Sequence, residues 1–246
     1  MAKREAIVGY CDERLQVSAF DDYCPNGLQV EGRADVQRIV SGVTACQSLL
    51  DAAVDAAADL VLVHHGYFWR GEPAPLVGVK ARRVATLFAA GVNLLAYHLP
   101  LDAHPELGNN RQLGLRLGFE RGEPLDGLLW GSELDEPIPA DALVTRIGSA
   151  LGRSPLAVGP THPVRRVAWC TGAAQGMIEQ AAATGCDAFI SGEISEQTVH
   201  QARELGILYL AAGHHATERY GVQALGSELA SRFAISHRFI DIPNPV

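Results

Sequence analysis

The chain has 246 residues, 48% of them apolar, which is enough to bury a substantial core in one large domain or two small ones. The formal net charge of -8 argues against a general nucleic-acid binder, because phosphate backbones require a dense Lys/Arg face. Five scattered cysteines without a CxxC pair indicate reduced thiols. No apolar run approaches the roughly 20 residues of a membrane span, and the expected location is the cytoplasm.

The first half of the chain alternates helices and strands. A helix is predicted over 3–15, followed by an irregular segment over 21–32 that is dense in turn residues. The elements predicted after it are strands over 38–43, 60–63 and 92–97 and helices over 46–58 and 79–90. The run Leu60-Val61-Leu62-Val63 lacks polar alternation, which is typical of parallel strands covered on both faces.

The second half repeats this plan. The segment Arg38 to Thr44 resembles Arg166 to Gly172, and Asp59 to Gly66 resembles Asp187 to Ile194. Each half also ends a later strand in a histidine that an acid follows four positions on. Chance similarity between two α/β segments is the alternative interpretation.

We therefore expect an α/β fold of two similar lobes related by pseudo-two-fold symmetry, comprising residues 1–126 and 127–246. A last strand over 236–242 could return to either sheet. Open α/β sheets bind ligands beyond the carboxyl ends of their strands, so two facing lobes would place a metal cleft between them.

His64 and His65 follow the apolar strand directly and precede Gly66. Adjacent histidines on a regular strand point to opposite faces, but a turn at Gly66 would let both enter the cleft and bind different metals. The alternative is one packed and one solvated imidazole. We interpret both as metal ligands.

His214 and Glu218 are one helical turn apart, so both side chains can bind one ion. A capping or solvated role for an acid near a helix start is the alternative. His215 points about a quarter-turn away and ranks below His214 as a ligand.

His98 and Asp102 follow another strand, and Pro100 between them is expected to prevent a simple helix and to leave Asp102 on a loop. Asp102 is a candidate bridging ligand, with a turn-stabilising role as the alternative. His98 is a candidate ligand, proton carrier or group behind the ligands.

Glu193 lies at the strand end of the second half and is a candidate general base acting on a metal-held water. N-capping of the next helix by Ser195 with nearby acids is the competing interpretation. The tentative catalytic residues are thus Glu193 and His98.

Imidazole and carboxylate together suit Zn, Fe, Mn or Ni, and a gathering of such groups suggests two divalent ions. Two cations held by two carboxylates keep about two positive charges, or about one if a hydroxide bridges them, which favours an anionic ligand such as a phosphate ester or nucleotide.

Ordered motifs over almost the whole chain resemble the Nif-three-like dinuclear metal-centre family, also called the GTP cyclohydrolase 1 type 2 family, in its short bacterial form. The motifs span 23–32, 63–66, 96–102, 107–110, 191–193 and 213–218. The resemblance implies a two-lobed α/β protein in which two metals are held by His64, His65, Asp102, His214 and Glu218. It also implies a toroidal homohexamer. An aromatic residue often stands in this family where this chain has His215, which weakens the case for His215 as a ligand.

The leading functional hypothesis is a metal-dependent hydrolase in which a bridging water attacks a phosphorylated or nucleotide substrate, with GTP ring opening as the named possibility. A metal-dependent phosphatase or phosphodiesterase is the alternative within enzymes. A non-catalytic scaffold or regulatory protein whose metals are structural is the alternative from another class.

Overall fold

The computed structural model describes residues 1–246, and they form two compact units. The first unit comprises 1–107 and 221–243, and the second comprises 108–220 and 244–246. None of the helices has both the length and the apolar character that a membrane crossing demands.

The first unit contains most of the elements predicted for the first half of the sequence. Its elements in chain order are β1 (Ala2–Lys3), α1 (Arg4–Arg14), β2 (Gly27–Val30), β3 (Asp35–Val36), β4 (Arg38–Thr44), α2 (Gln47–Asp55), β5 (Leu60–His65), α3 (Gly78–Ala90), β6 (Asn93–Ala96) and α4 (Leu99–Ala103). Five strands form a sheet in the order β13-β4-β5-β6-β2, where β13 is Ser236–Phe239. All its pairs are parallel except that of β2 with β6.

Both faces of this sheet are covered, as the unbroken apolar run in β5 predicts. Leu60 and Leu62 pack with residues of α1 and of the helix over 219–233, whereas Val61 and Val63 pack with residues of α2 and α3. The four side chains are fully buried. Because β5 is enclosed on both sides, the carboxyl end that bears His64 and His65 is held rigidly.

The second unit is a six-stranded mixed sheet with helices. Its elements are α5 (Asn109–Arg116), β7 (Glu123–Asp126), β8 (Leu129–Ile138), α6 (Ala140–Leu151), β9 (Leu156–Val158), β10 (Val164–Trp169), α7 (Ile178–Ala183), β11 (Ala188–Ser191), α8 (Glu196–Glu204), β12 (Leu208–Ala211) and α9 (His214–Thr217). The strand order is β7-β8-β10-β11-β12-β9, with β10, β11 and β12 parallel.

One aspartate in each unit makes the same kind of contact with the start of a neighbouring strand. In the first unit, Asp59 Oδ2 accepts hydrogen bonds from the backbone N–H groups of Gln37 and Arg38, at 2.8 and 3.0 Å. In the second, Asp187 Oδ2 accepts from the N–H groups of Arg165 and Arg166, both at 2.8 Å. Each aspartate thus fastens the start of one parallel strand to the start of the next.

The units divide at Leu107 and Gly108, not near Asp126 as expected from the sequence. The reason is that α5 and the turn after it supply Leu113, Leu117 and Phe119 to the core of the second unit. The chain returns to the first unit at Gly221, within α10 (Arg219–Phe233), and β13 pairs with β4. Return of the last strand to the first sheet was one of the two possibilities that the sequence left open.

Candidate metal centre

The first unit brings its three predicted histidines together at the carboxyl ends of β5 and β6. One nitrogen of each of His64, His65 and His98 lies within 4.8 Å of the others. The His64 ring centroid lies 4.6 Å from that of His65 and 5.0 Å from that of His98. Both adjacent histidines therefore reach one place, although strand alternation alone would separate them.

Contacts at Nδ1 fix the ring orientation of the two adjacent histidines. His64 Nδ1 lies 2.8 Å from the backbone oxygen of Tyr97, and because a carbonyl only accepts, Nδ1 carries a proton and Nε2 is the nitrogen that would bind a metal ion. His65 Nδ1 lies 3.1 Å from Thr44 Oγ1. Metal-binding histidines are commonly oriented through the other ring nitrogen in this way.

Asp102 joins this group from a short helix, and here the expectation of a loop was wrong. Residues Leu99–Ala103 form α4 with Pro100 in its first turn, where proline is tolerated because the missing N–H would have no helical partner. The N–H of Asp102 donates to the carbonyl of His98 at 3.0 Å. This turn places Asp102 Oδ1 at 3.4 Å from His64 Nε2.

A segment that the sequence left without a chemical role lies across these strand ends. The side chain of Asp22 is 3% exposed and accepts a hydrogen bond from His98 Nδ1 at 2.8 Å. Burial by itself raises the pKa of Asp22, but the hydrogen bonds from His98, Asn26 and the Leu99 N–H outweigh burial and lower that pKa to about 2. Asp22 is therefore an ionised carboxylate behind His98. It lies 76 residues from His98 in the chain, so no local pattern could have revealed the contact.

The second unit brings His214, Glu218 and Glu193 together. Glu218 Oε2 lies 3.1 Å from His214 Nε2, and Glu193 Oε1 lies 2.7 Å from His214 Nδ1. Burial by itself lowers the pKa of His214, but the two carboxylates outweigh it and raise the pKa to about 9. Glu193 thus contacts a candidate ligand, and Ser195 caps α8 through a capping box with Thr198, as the competing interpretation expected.

Close backbone packing holds the His214 and Glu218 side chains in place. Gly172 has a φ of +69°, and a Cβ there would collide with Glu218 Oε1. The carbonyl of Gly172 accepts from the N–H of Gly192, and its N–H donates to Thr217 Oγ1. His215 donates its backbone N–H to Val246 O, a contact unrelated to metal ligation.

The donor chemistry in both units fits a divalent cation. In each unit a histidine Nε2 faces a carboxylate oxygen, His64 with Asp102 and His214 with Glu218. A nitrogen lone pair and a carboxylate repel one another unless a proton or a metal ion lies between them. His64 and His214 also form a hydrogen bond through Nδ1, as metal-ligating histidines commonly do with the ring nitrogen that does not bind the metal. Groups of residues in this protein could therefore hold a metal ion.

These features define a mixed α/β protein with histidine and carboxylate groups of metal-ligand type at its strand ends. The chain belongs to the Duf34/NIF3 (NGG1p interacting factor 3) family, whose model matches residues 2–245. A relative from Pseudomonas aeruginosa, described as a GTP cyclohydrolase 1 type 2 homolog, is 60% identical over 97% of both chains. One from Allochromatium vinosum with the same description is 58% identical over 97% of this chain and 96% of its own.

Solved structures agree with this assignment. The protein ybgI, described as of unknown function, superposes with a TM-score of 0.96 at 51% identity and full coverage of both chains. A protein from Thermus thermophilus superposes with a TM-score of 0.92 at 36% identity, again over both full chains. The predicted family and the α/β fold class are thereby confirmed.

Proposed function

We propose that this protein binds two divalent metal ions through His64, His65, Asp102, His214 and Glu218 and uses them to hydrolyse an anionic, phosphorylated or nucleotide substrate. The observation that carries the proposal is the pairing of a histidine with a carboxylate in each unit, with the histidine Nδ1 already occupied by another group. Zn, Fe, Mn and Ni all bind such ligands, so the metal available in the cell decides which of them occupies the site.

Two bound divalent ions would supply Lewis acidity and lower the pKa of a water molecule, which is the chemistry that a hydrolase needs. Asp102 and Glu218 together neutralise two of the four positive charges. The remaining charge of about two favours a phosphate ester or nucleotide over a neutral substrate. Equal binding of neutral and phosphorylated compounds in calorimetry would contradict this part of the proposal.

Glu193 and His98, the two residues that the sequence suggests for catalysis, each lie next to a proposed metal ligand. Glu193 orients His214 by accepting from Nδ1 at 2.7 Å, and this contact supports a positioning role better than the general-base role expected from the sequence. His98 lies beside the proposed ligands of the first unit, His64 and His65. Its Nδ1 donates a hydrogen bond to the Asp22 carboxylate.

GTP is the first substrate to test, since relatives covering nearly the whole chain are described as GTP cyclohydrolase 1 type 2 homologs. Metal-loaded protein is incubated with GTP while pterin fluorescence and phosphate release are followed. Fluorescence that depends on both metal and His64 supports ring opening of GTP. Phosphate release without fluorescence supports a phosphatase or phosphodiesterase. Stoichiometric metal binding without turnover of any nucleotide supports a scaffold or regulatory protein.

We also propose that the chain assembles as a toroidal homohexamer. Light scattering coupled to gel filtration should then give six times the chain mass of 26.3 kDa. A smaller particle at micromolar concentration would contradict the hexamer and leave the metal proposal standing.

A further inference from the structure

Two loops of the first unit carry aromatic side chains beside the histidine cluster formed by His64, His65 and His98. Tyr23 lies in the loop before β2, and its ring makes a T-shaped contact with His98 at a centroid distance of 5.4 Å. Trp69 lies in the loop after β5, and its ring centroid lies 5.1 Å from that of His98 and 6.0 Å from that of His65. Aromatic rings from two distant parts of the sequence therefore border the same cluster.

Both rings keep accessible surface at this place. Tyr23 is 51% exposed, and Trp69 is partly exposed. The other two tryptophans, Trp130 and Trp169, are buried in the core of the second unit. A single exposed apolar side chain needs no explanation, whereas two exposed rings beside one polar cluster mark a place where a ligand can bind. Because both rings contact the imidazole of His98, one planar ligand placed beside that imidazole reaches both.

Hydrogen bonds fix the two loops that carry these rings. The backbone N–H of Arg70 donates to the backbone oxygen of Tyr23 at 2.6 Å, and the Arg70 guanidinium donates to the Asp21 carboxylate at 2.8 Å. Trp69 Nε1 donates to the backbone oxygen of Gly66 at 3.3 Å. A ligand that stacks on the two rings therefore spends little free energy on ordering them.

We propose that Tyr23 and Trp69 stack on a planar aromatic ring of the substrate. Tyrosine and tryptophan faces bind such rings well, and the contact tolerates any nucleobase. A sugar phosphate without such a ring gains little from either side chain. The anionic substrate is then a phosphorylated compound with a heteroaromatic ring, such as a nucleotide, and not a simple phosphate ester. This inference rests on the proposed function and narrows its substrate class.

GMP and ribose 5-phosphate test the proposal, because both have a ribose and a phosphate and only GMP has the aromatic base. Binding of each compound to the zinc-loaded full chain is measured by calorimetry. The wild type should bind GMP about 5- to 100-fold more tightly than ribose 5-phosphate. Tyr23→Leu and Trp69→Leu should each weaken GMP binding by a factor in the same range, about 5 to 100, and leave ribose 5-phosphate binding unchanged.

Two further variants serve as controls for these losses. Tyr23→Phe keeps the ring and removes only the hydroxyl, so it should bind GMP as the wild type does. Phe88→Leu removes an aromatic ring that is also exposed in the first unit, on α3, and it should change the binding of neither compound.

Trp69 also provides an optical readout that does not depend on turnover. Because Trp130 and Trp169 are buried, a ligand that stacks on an accessible tryptophan changes the fluorescence of Trp69. GMP should quench the wild-type fluorescence, and ribose 5-phosphate should not. The quenching should disappear in Trp69→Phe, whose ring still supports GMP binding in calorimetry.

Equal wild-type affinity for GMP and ribose 5-phosphate would overturn this inference. So would equal losses of both compounds in Tyr23→Leu and Trp69→Leu, since the two rings would then act through the fold and not through the base. A wild-type chain that binds no zinc would overturn the proposed function. A zinc-loaded chain without preference for GMP would overturn this inference alone.

Discussion

His214 shows how individual residues prepare this site. It lies between two carboxylates, with Glu193 at 2.7 Å from Nδ1 and Glu218 at 3.1 Å from Nε2. Burial opposes its protonation, yet the two acids raise its pKa to about 9. Without metal, His214 is therefore an imidazolium at neutral pH, and a bound divalent ion would take the place of the Nε2 proton.

Glu193→Ala should lower the pKa of His214, because one of the two carboxylates that favour the imidazolium is removed while the burial remains. The pKa is measured by NMR titration of the metal-free protein. Glu196→Ala is the control, since Glu196 is exposed in the first turn of α8. An unchanged pKa in Glu193→Ala would show that the contact with His214 is absent in solution.

The residues that sequence reasoning could find are those next to apolar runs. The candidate ligands lie at or just after strand ends, so periodicity points to them. His64 and His65 end β5, Asp102 lies in the short helix after β6, and His214 and Glu218 lie in or just after the short helix that follows β12. The sequence pattern did not identify Asp22, because this residue lies in a turn-rich segment and its partners lie at distant strand ends. The sequence pattern did not identify Gly172 either. A side chain at this position would collide with Glu218, and that contact depends on the fold because Glu218 lies far along the chain.

At the scale of elements, the predicted strands and helices of the first unit are confirmed with small shifts at their ends. Two elements departed from expectation for local reasons. Pro100 lies in the first helical turn of α4, where it does not interrupt a hydrogen bond. The segment over 21–32 contains β2, which pairs antiparallel with β6 at the sheet edge, and turn residues around this short strand masked it.

Gly172→Ala tests the connection after β10. A side chain there must adopt φ +69° and would collide with Glu218, so we expect a loss of at least about 1 to 2 kcal/mol in the free energy of unfolding and weaker metal binding. Gly176→Ala is the control, because Gly176 lies in the same connection and a Cβ there meets nothing within 4 Å. Denaturant unfolding and metal titration measure both effects. Equal stability and affinity in the two variants would contradict the packing argument.

At the scale of the whole molecule, the sequence predicted a duplicated α/β plan but placed the division between units wrongly. Periodicity identifies strands and helices, whereas the assignment of α5 and α10 to a unit depends on which core each helix contacts. Asp59 and Asp187 accept equivalent hydrogen bonds from the starts of neighbouring strands, which supports the predicted similarity of the two units. The pseudo-two-fold relation between the lobes stays a prediction.

The return of β13 to the first sheet predicts a pH dependence of stability. His237 lies on β13 with Nε2 at 2.7 Å from Ser41 Oγ on β4, and burial lowers its pKa below the ordinary 6.5. The unfolded chain therefore takes up a proton that the folded chain resists, so stability present above pH 6.5 is lost as the pH falls below it. His237→Gln should lose less unfolding free energy than the wild type when the pH is lowered through this range, as measured in urea. Equal losses would contradict this account.

Divalent metal binding by the histidine and carboxylate groups of this chain underlies the proposed function. This binding is measured by equilibrium dialysis of the full chain against Zn²⁺ or Mn²⁺, followed by elemental analysis. We expect about two ions per wild-type chain, fewer in His64→Ala, and no change in His200→Ala, whose histidine is exposed on α8. A wild-type chain that retains no metal, or the same metal content in both variants, would contradict it.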